Sequence, residues 1–376
     1  MKCIDEIPAS ELRGKRVFLR TIVNLPVNED GTIGDLFRLK RGFPTLKYLV
    51  DNGARVIIAG YFGRKGESIR PVAEAFQKFA PDIKIFFFGT GFDEAPQQAA
   101  KLKDGECLFL ENTRRDPGEQ TNDAEFSKLL ASCADIFVGD SFPDAHRDYA
   151  SSVGAAKLLP HYAGFLMRDE VENLNAARTP ESPSFAMLGG AKFETKAPLI
   201  RSLLTAYDRL FIVGALANDI FAARGLPVGR SLISKELPQK DVLENPHLIA
   251  PVDVTVETPD GQVRVKKPAE VADDEKIVDI GPDSVAAAAP YIGEARSFLW
   301  SGPTGMYEKG YTHYTQAIAE LLEKSDAKKV IGGGDTIAAV EASGVSQDNL
   351  GFLSTGGGAM LEYLLKGTLP GIEALS

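Results

Sequence analysis

Short apolar runs alternate with amphipathic stretches along almost the whole chain. Arg16-Val-Phe-Leu-Arg20 reads as a strand, Thr45-Leu-Lys-Tyr-Leu-Val50 as part of an amphipathic helix, and Arg55-Val-Ile-Ile-Ala59 as the next strand. Pro71 to Phe79 has helical spacing, Lys84 to Phe88 and Cys107 to Leu110 are extended, Asn122 to Ser132 is helical, and Ile136 to Val138 is extended again. Strand and helix in strict alternation predict a parallel sheet covered by helices. The polar residues that follow each strand then gather along one sheet edge, where such sheets bind ligands.

The second half repeats this logic. Ser184 to Leu188 runs into Gly189-Gly-Ala-Lys192, and Leu210 to Val213 runs into Gly214 and a helix. Ile249 to Glu257 reads as one strand, Ser297 to Trp300 ends at Ser-Gly-Pro, and Lys329 to Ile331 ends at three glycines. Asp169 to Ala177 is a candidate interdomain helix, and Arg178-Thr-Pro-Glu-Ser-Pro183 a loop rich in breakers. The predicted fold class is therefore α/β: two Rossmann-like domains, residues 1–170 and 171–369, with parallel sheets covered by helices and joined by an interdomain helix and hinge.

The 376 residues suit two domains better than a single core. A formal charge of −10 disfavours a broad nucleic-acid-binding surface but leaves room for a local basic cleft. No apolar run approaches the ~20 residues of a membrane helix. Met1 to Arg16 lacks the apolar stretch of a signal peptide, so the expectation is a cytoplasmic protein with no membrane partner. Cys3, Cys107 and Cys133 form no ligand motif and are expected to be structural free thiols.

Candidate chemistry falls at the predicted turns and strand ends. In the first half these are Arg20 and Asn24, Arg38 after the GTIGD turn, Arg64 after Tyr61-Phe-Gly63, Arg114 with Arg115, and His146 with Arg147. Arginine forks focused in a cleft can hold a small dianion, although scattered arginines can equally serve surface ion pairs. His146 reads as a structural or substrate-orienting histidine rather than a general base. In the second half Lys192 and Lys196 lie four apart, on nearby faces of a helix beginning near Glu194. Gly189 and Gly190 let backbone donors approach an anion, and Gly332 to Gly334 lead into a helix beginning near Asp335. Asp335 offers a hard oxygen to Mg2+, and Thr336 can cap the helix or bind phosphate. Neither turn is a GxxxxGK[ST] loop; alone each is an ordinary capped turn, and together they suggest a nucleotide phosphate site built from several turns. Glu308, in Trp300-Ser-Gly-Pro-Thr-Gly-Met-Tyr-Glu308, is placed to accept from ribose hydroxyls, and Trp300 fits a core position equally well.

The ordered set GKRVFLR with Asn24-Leu-Pro, GTIGD with Arg38, FGR64, LEN with Arg114, AHR147, GGAK192, WSGPTGMYE308, GGGD335 with Thr336, and STGGGAMLE resembles the phosphoglycerate kinase family over nearly the whole chain. The resemblance implies an ATP-dependent phosphotransferase acting between 1,3-bisphosphoglycerate and ADP, giving 3-phosphoglycerate and ATP. Its partners would be a small phosphorylated carboxylate and an adenine nucleotide (ATP/ADP), with Mg2+, in a monomer. It implies that residues 1–170 hold the acidic triose through Arg20, Asn24, Tyr61, Arg64, Arg114, His146 and Arg147, and that the tail 370–376 returns to this domain. Residues 171–369 would hold nucleotide through Lys196, Gly302, Glu308, Gly333, Gly334, Asp335 and Thr336, with Asp335 on the metal. Arg38 and Lys192 would stabilise the transferring phosphoryl group after closure.

The chain departs from the family pattern on the triose side. RVDFNVP is here RTIVNLP, so Ile22 stands where an aspartate is expected. Tyr61 replaces a histidine, Lys65 a proline and Ser301 an asparagine, and NDAFGTAHRAH becomes Gly139-Asp-Ser-Phe-Pro-Asp-Ala-His-Arg-Asp-Tyr149. Loss of an oriented hydrogen bond can shift specificity by orders of magnitude. Two alternatives to the usual reaction therefore stay open here: another carboxylate acceptor, or a catalytically inactive nucleotide-binding regulator.

Overall fold

The computed structural model describes residues 1–342, 344–346 and 349–376. The chain folds into two compact units, Met1–Glu172 with Thr368–Ser376, and Asn173–Gly367. The helix Phe165–Arg178 carries the chain across that division.

Unit 1 is built on six parallel strands: β1 Arg16–Thr21, β2 Arg55–Ala59, β3 Ile85–Phe88, β4 Cys107–Leu110, β5 Ile136–Asp140 and β6 His161–Ala163, in the order β3-β4-β2-β1-β5-β6. The central strands are continuous apolar runs because helices cover both faces; β4 and β5 are buried at every position. The helix Leu36–Asp51 is started by Asp35, whose carboxylate accepts from the Arg38 amide at 2.9 Å. The strand order reverses between β1 and β5, which opens a crevice at their C-terminal ends. The C-terminal tail packs into this unit: the Gly371 amide donates to the Ala145 carbonyl at 2.8 Å, and Leu375 is buried over Gly139, where an added Cβ would meet Leu375 Cδ1 at 2.8 Å.

Unit 2 contains a second six-stranded parallel sheet. Its strands are β7 Ser184–Leu188, β8 Arg209–Ile212, β9 Leu248–Ile249, β13 Ser297–Ser301, β14 Lys328–Gly332 and β15 Phe352–Leu353, in the order β15-β14-β13-β7-β8-β9. Here the reversal falls between β7 and β13. A three-stranded antiparallel sheet, β10 Val254–Glu257, β11 Val263–Lys266 and β12 Lys276–Ile280, is attached to it, an element the alternating pattern did not predict. The expected single strand from Ile249 to Glu257 is in fact two strands in two different sheets. Pro251 has no amide to give a ladder, and Asp253 turns aside to accept the Asp283 and Ser284 amides at 2.9 and 2.8 Å, opening the helix Pro282–Glu294. Among the described residues no helix is long and apolar enough to cross a membrane. All three cysteines are free and buried, and burial pushes each thiol well above its ordinary value, as structural thiols require.

This packing has two measurable consequences for stability. Leu375→Ala is expected to weaken unit 1 by about 2–4 kcal/mol, read as faster hydrogen exchange at the β5 amides; unchanged exchange contradicts the tail's role. Burial pushes the Asp279 carboxyl to about 7. The folded state therefore binds this proton more tightly than the unfolded chain does. Its contribution is complete below about pH 4 and is lost as pH rises through about 7. Denaturant unfolding should show Asp279→Asn with a smaller loss of stability between pH 5 and pH 8 than wild type.

Candidate functional site

In unit 1 the crevice between β1 and β5 is filled by a connected polar cluster. Arg20, at the end of β1, is only 2% exposed and donates through three nitrogens: Nε to Ser151 Oγ at 3.1 Å, Nη1 to the Thr21 carbonyl at 3.0 Å, and Nη2 to Asp144 Oδ2 at 3.2 Å. Ser151 Oγ donates onward to Glu119 Oε1 at 2.6 Å, which also accepts from Thr113 Oγ1 at 2.8 Å, so the end of β1 and the loops after β4 and β5 share one network. Tyr61, in the loop after β2, donates its hydroxyl to Asp144 Oδ1 at 2.5 Å. Burial, then the charge of Asp144, pushes the Tyr61 phenol well above its ordinary value, so it remains a donor. The Arg114 guanidinium lies over the Tyr61 ring, 3.6 Å from its centroid, and donates to the Gly63 carbonyl at 2.6 Å and to Tyr149 Oη at 3.1 Å.

The other residues expected in unit 1 surround this cluster with more exposure. Asn24 Oδ1 accepts from the Gly63 amide at 3.1 Å, tying the loop after β1 to the one carrying Arg64, which is itself exposed. His146 is half-buried and Arg147 exposed in the short turn after β5. Arg38 stands apart from the linked set, in the first turn of its helix, with Nε 3.5 Å from Asp35. Ile22 is buried in the apolar core, so position 22 offers no polar atom here.

In unit 2 the crevice between β7 and β13 is lined by closely packed backbone. The Gly189 amide donates to the Ser301 carbonyl at 2.7 Å, and a Cβ on Gly189 would meet the Pro303 carbonyl oxygen at 2.6 Å. Gly302, at φ +98°, approaches Gly189 so closely that its own Cβ would lie 2.5 Å from the Gly189 carbonyl carbon. Only glycine permits both the conformation and the approach. Lys192 adopts the left-handed region, φ 66° and ψ 73°, immediately before the helix Phe193–Ala206. That conformation costs a non-glycine residue about 1–3 kcal/mol and clusters at functional sites. Lys196, one turn into the helix, donates Nζ to the Gly189 carbonyl at 2.7 Å; burial lowers its pKa while the Asp335 charge opposes the shift.

Beside this crevice lies a cavity of about 430 Å³ whose lining includes Gly190, Asn218, Val278, Met306, Glu308 and Asp335. Its apolar wall comes from the antiparallel sheet, through Val254 and Ile277 packed with Phe221. Asn218 is buried, donates Nδ2 to the Leu232 carbonyl at 3.1 Å, and keeps Oδ1 without a hydrogen-bond partner among the described residues. Asp335 and Glu308 stand exposed, and Tyr307 Oη donates to Asp335 Oδ1 at 3.1 Å. Gly333 and Gly334 carry the chain from β14 into the helix Gly334–Ala342. Thr336 is not a cap: it is buried, and its hydroxyl accepts from the Gly302 amide at 2.7 Å, joining the turns after β13 and β14. Trp300 is fully buried and donates Nε1 to the Gly302 carbonyl at 2.8 Å. Among the described residues no group of three or more His, Cys, Asp or Glu is placed to hold a metal. A lone exposed carboxylate remains compatible with Mg2+, which takes one or two protein carboxylates and completes its shell with water and phosphate oxygens.

Sequence reading missed Asp144, Tyr149, Ser151 and Glu119. Asp144 and Tyr149 were visible as departures in the loop after β5, but nothing in their spacing told where their side chains turn. Ser151 and Glu119 carried no signal.

A profile of the phosphoglycerate kinase family matches residues 5–367. The chain is 39% identical over 384 residues to phosphoglycerate kinase of Moorella thermoacetica, covering 97% of each protein. It is 40% identical over 396 residues to that of Thermus thermophilus, covering 96% of this chain and 97% of the relative. Among solved structures it is similar to phosphoglycerate kinase from Coxiella burnetii, with a TM-score of 0.84, 33% identity, and 99% and 98% of the two chains covered. It is likewise similar to that from Pyrococcus horikoshii, with a TM-score of 0.83 and 28% identity over 100% and 98% of the chains. With a match this long in sequence and in fold, the chain belongs to the phosphoglycerate kinase family.

Proposed function

We propose that this protein transfers a phosphoryl group reversibly between 1,3-bisphosphoglycerate and ADP, giving 3-phosphoglycerate and ATP. The observation that carries the reading is the unit 2 crevice, where a glycine backbone, Lys192, Lys196 and Asp335 adjoin an apolar cavity. Unit 2 is the nucleotide unit, with residues 171–369 as its working limits. Its cavity takes the purine, and the unpartnered Asn218 Oδ1 suits a donor on the base. Glu308 accepts from ribose hydroxyls. The Gly302 turn, Gly333, Gly334, Thr336 and Lys196 hold the phosphates, and Asp335 holds Mg2+, which when bound neutralises phosphate charge. Unit 1, residues 1–170 with the tail 370–376, is the acceptor unit. Arg20, Asn24, Tyr61, Arg64, Arg114, His146 and Arg147 form its anion-binding surroundings.

The acceptor carboxylate is already an anion, so the reaction needs no general base. What the protein supplies is alignment and charge stabilisation in a site shielded from water. Arg38 and Lys192 meet the charge on the equatorial oxygens of the transferring group. Direct transfer then requires the carboxylate oxygen and the leaving phosphate in line. The same reading takes the protein as a cytoplasmic monomer, as the family resemblance implies.

A coupled assay of Mg2+-dependent transfer from ATP to 3-phosphoglycerate tests the assignment. Wild type should turn over, and Lys192→Ala should lose about 10²–10³-fold in kcat, the scale of one electrostatic donor. Lys192→Gly should be equally inactive but about 1 kcal/mol more stable than Lys192→Ala, because glycine relieves the left-handed strain. Absence of wild-type turnover contradicts the assignment.

A further inference from the structure

Three of the substrate-side departures noted in the sequence meet in space. Asp144 stands where the family pattern has threonine, Tyr61 where it has histidine, and Tyr149 where it has a second histidine. Asp144 Oδ1 accepts from Tyr61 Oη at 2.5 Å, and Oδ2 accepts from Arg20 Nη2 at 3.2 Å and from Ser141 Oγ at 2.7 Å. The Tyr61 and Tyr149 rings meet edge to face, their centroids 6.0 Å apart, and Arg114 is held by both: stacked on the Tyr61 ring, hydrogen-bonded to Tyr149 Oη. A further departure, Ile22, lies buried in the core.

We propose that Asp144 is a positioning residue of the acceptor site, its one carboxylate fixing Arg20 and Tyr61 together and supplying the anionic anchor that Ile22 does not. The inference rests on unit 1 being the acceptor unit. A guanidinium that is almost wholly buried needs a counter-charge with good geometry, and Asp144 is its ion-pair partner. Tyr61 is the second arm. Its hydroxyl is tied to the same carboxylate, and its ring is the platform on which the half-exposed Arg114 rests. Asp144 therefore acts through Tyr61 on a cation that can reach a ligand, as well as on Arg20. Without it, Tyr61 loses its acceptor and Arg114 a fixed support, while Gly63 and Tyr149 still hold the arginine near the same place. The expected consequence is a weakened acceptor site rather than lost chemistry.

The test is steady-state kinetics in the direction of ATP consumption, with wild type, Asp144→Asn, Tyr61→Phe and the double variant. Asp144→Asn should raise KM for 3-phosphoglycerate about 10-fold or more, the scale of a charge-assisted hydrogen bond. KM for ATP and kcat should stay within about 3-fold of wild type. Tyr61→Phe should raise the same KM by less. The double variant should be no worse than Asp144→Asn alone, since both act through one carboxylate. A merely structural role would move both KM values together or show only in the melting temperature; that result, an unchanged KM for 3-phosphoglycerate, or additive effects in the double variant overturns the inference. If Asp144→Asn fails to fold, Tyr61→Phe decides alone, because it leaves the pairing of Asp144 with Arg20 and Ser141 in place. Wild-type enzyme that does not turn over 3-phosphoglycerate overturns the acceptor reading and this inference with it. Wild-type turnover with an unshifted KM in Asp144→Asn or Tyr61→Phe overturns this inference alone.

Discussion

A parallel sheet covered by helices on both faces leaves its strands no polar side chains to spare, and this constraint governs the rest of the molecule. β4, β5, β7 and β13 are buried at every position, so chemistry can enter only where a strand ends. It enters most readily where the strand order reverses and the loops on two neighbouring strands part. Each unit has one such place, between β1 and β5 in the first and between β7 and β13 in the second. Most of the candidate residues scattered along the sequence, from Arg20 to Asp335, are found at or near strand ends for this reason, whereas Arg38 sits in the first turn of a helix.

The two crevices meet the constraint differently. In unit 2 the strand ends are closed by backbone: Gly189, Gly302 and Thr336 bond to one another's turns, and the cations stand at the start of one helix. Glycine there lets an anion come close to the backbone, and backbone donors suit phosphate of any nucleotide. In unit 1 the crevice is closed by side chains. Arg20 at the end of β1, Glu119 after β4, and Asp144 and Ser151 after β5 bond in one chain. Such a network holds a unique arrangement only when all its members are satisfied. The unit 2 crevice is thus shaped mainly by its glycines, whereas a side-chain change in the unit 1 network calls for a partner elsewhere. Tyr61 and Asp144 are such a pair.

The parallel sheets were legible because their strands are unbroken apolar runs between helices of a different period, and the glycine turns because no other residue suits them. The antiparallel sheet was not, since β11 is exposed along most of its length and carries Val263 and Val265 on a solvent face. The strand from Ile249 to Glu257 was misread because apolar character outweighed Pro251, the one residue in the segment with a backbone reason to interrupt it. For the site, residue types and strand-end positions made Arg20, Arg114, Lys192 and Lys196 candidates, and the departure from the family pattern drew notice to Tyr61. Their partners across the fold were beyond reach: Asp144 lies 83 residues from Tyr61, and only the folded register brings β5 beside β1. The departures at positions 22, 61 and 144 read in isolation as unconnected changes on the triose side. In the folded unit two of them form a hydrogen bond and the third joins the core.

The central claim is that the reaction is divided between two separate crevices, nucleotide at one and acceptor at the other. Hydrogen exchange of the intact protein, with Mg-ADP and with 3-phosphoglycerate added separately, tests it most directly. The account predicts two distinct footprints: ADP slowing exchange in the turns after β7, β13 and β14, and 3-phosphoglycerate slowing it in the loops after β1, β2 and β5. Both ligands protecting the same unit, or 3-phosphoglycerate protecting neither, would contradict it.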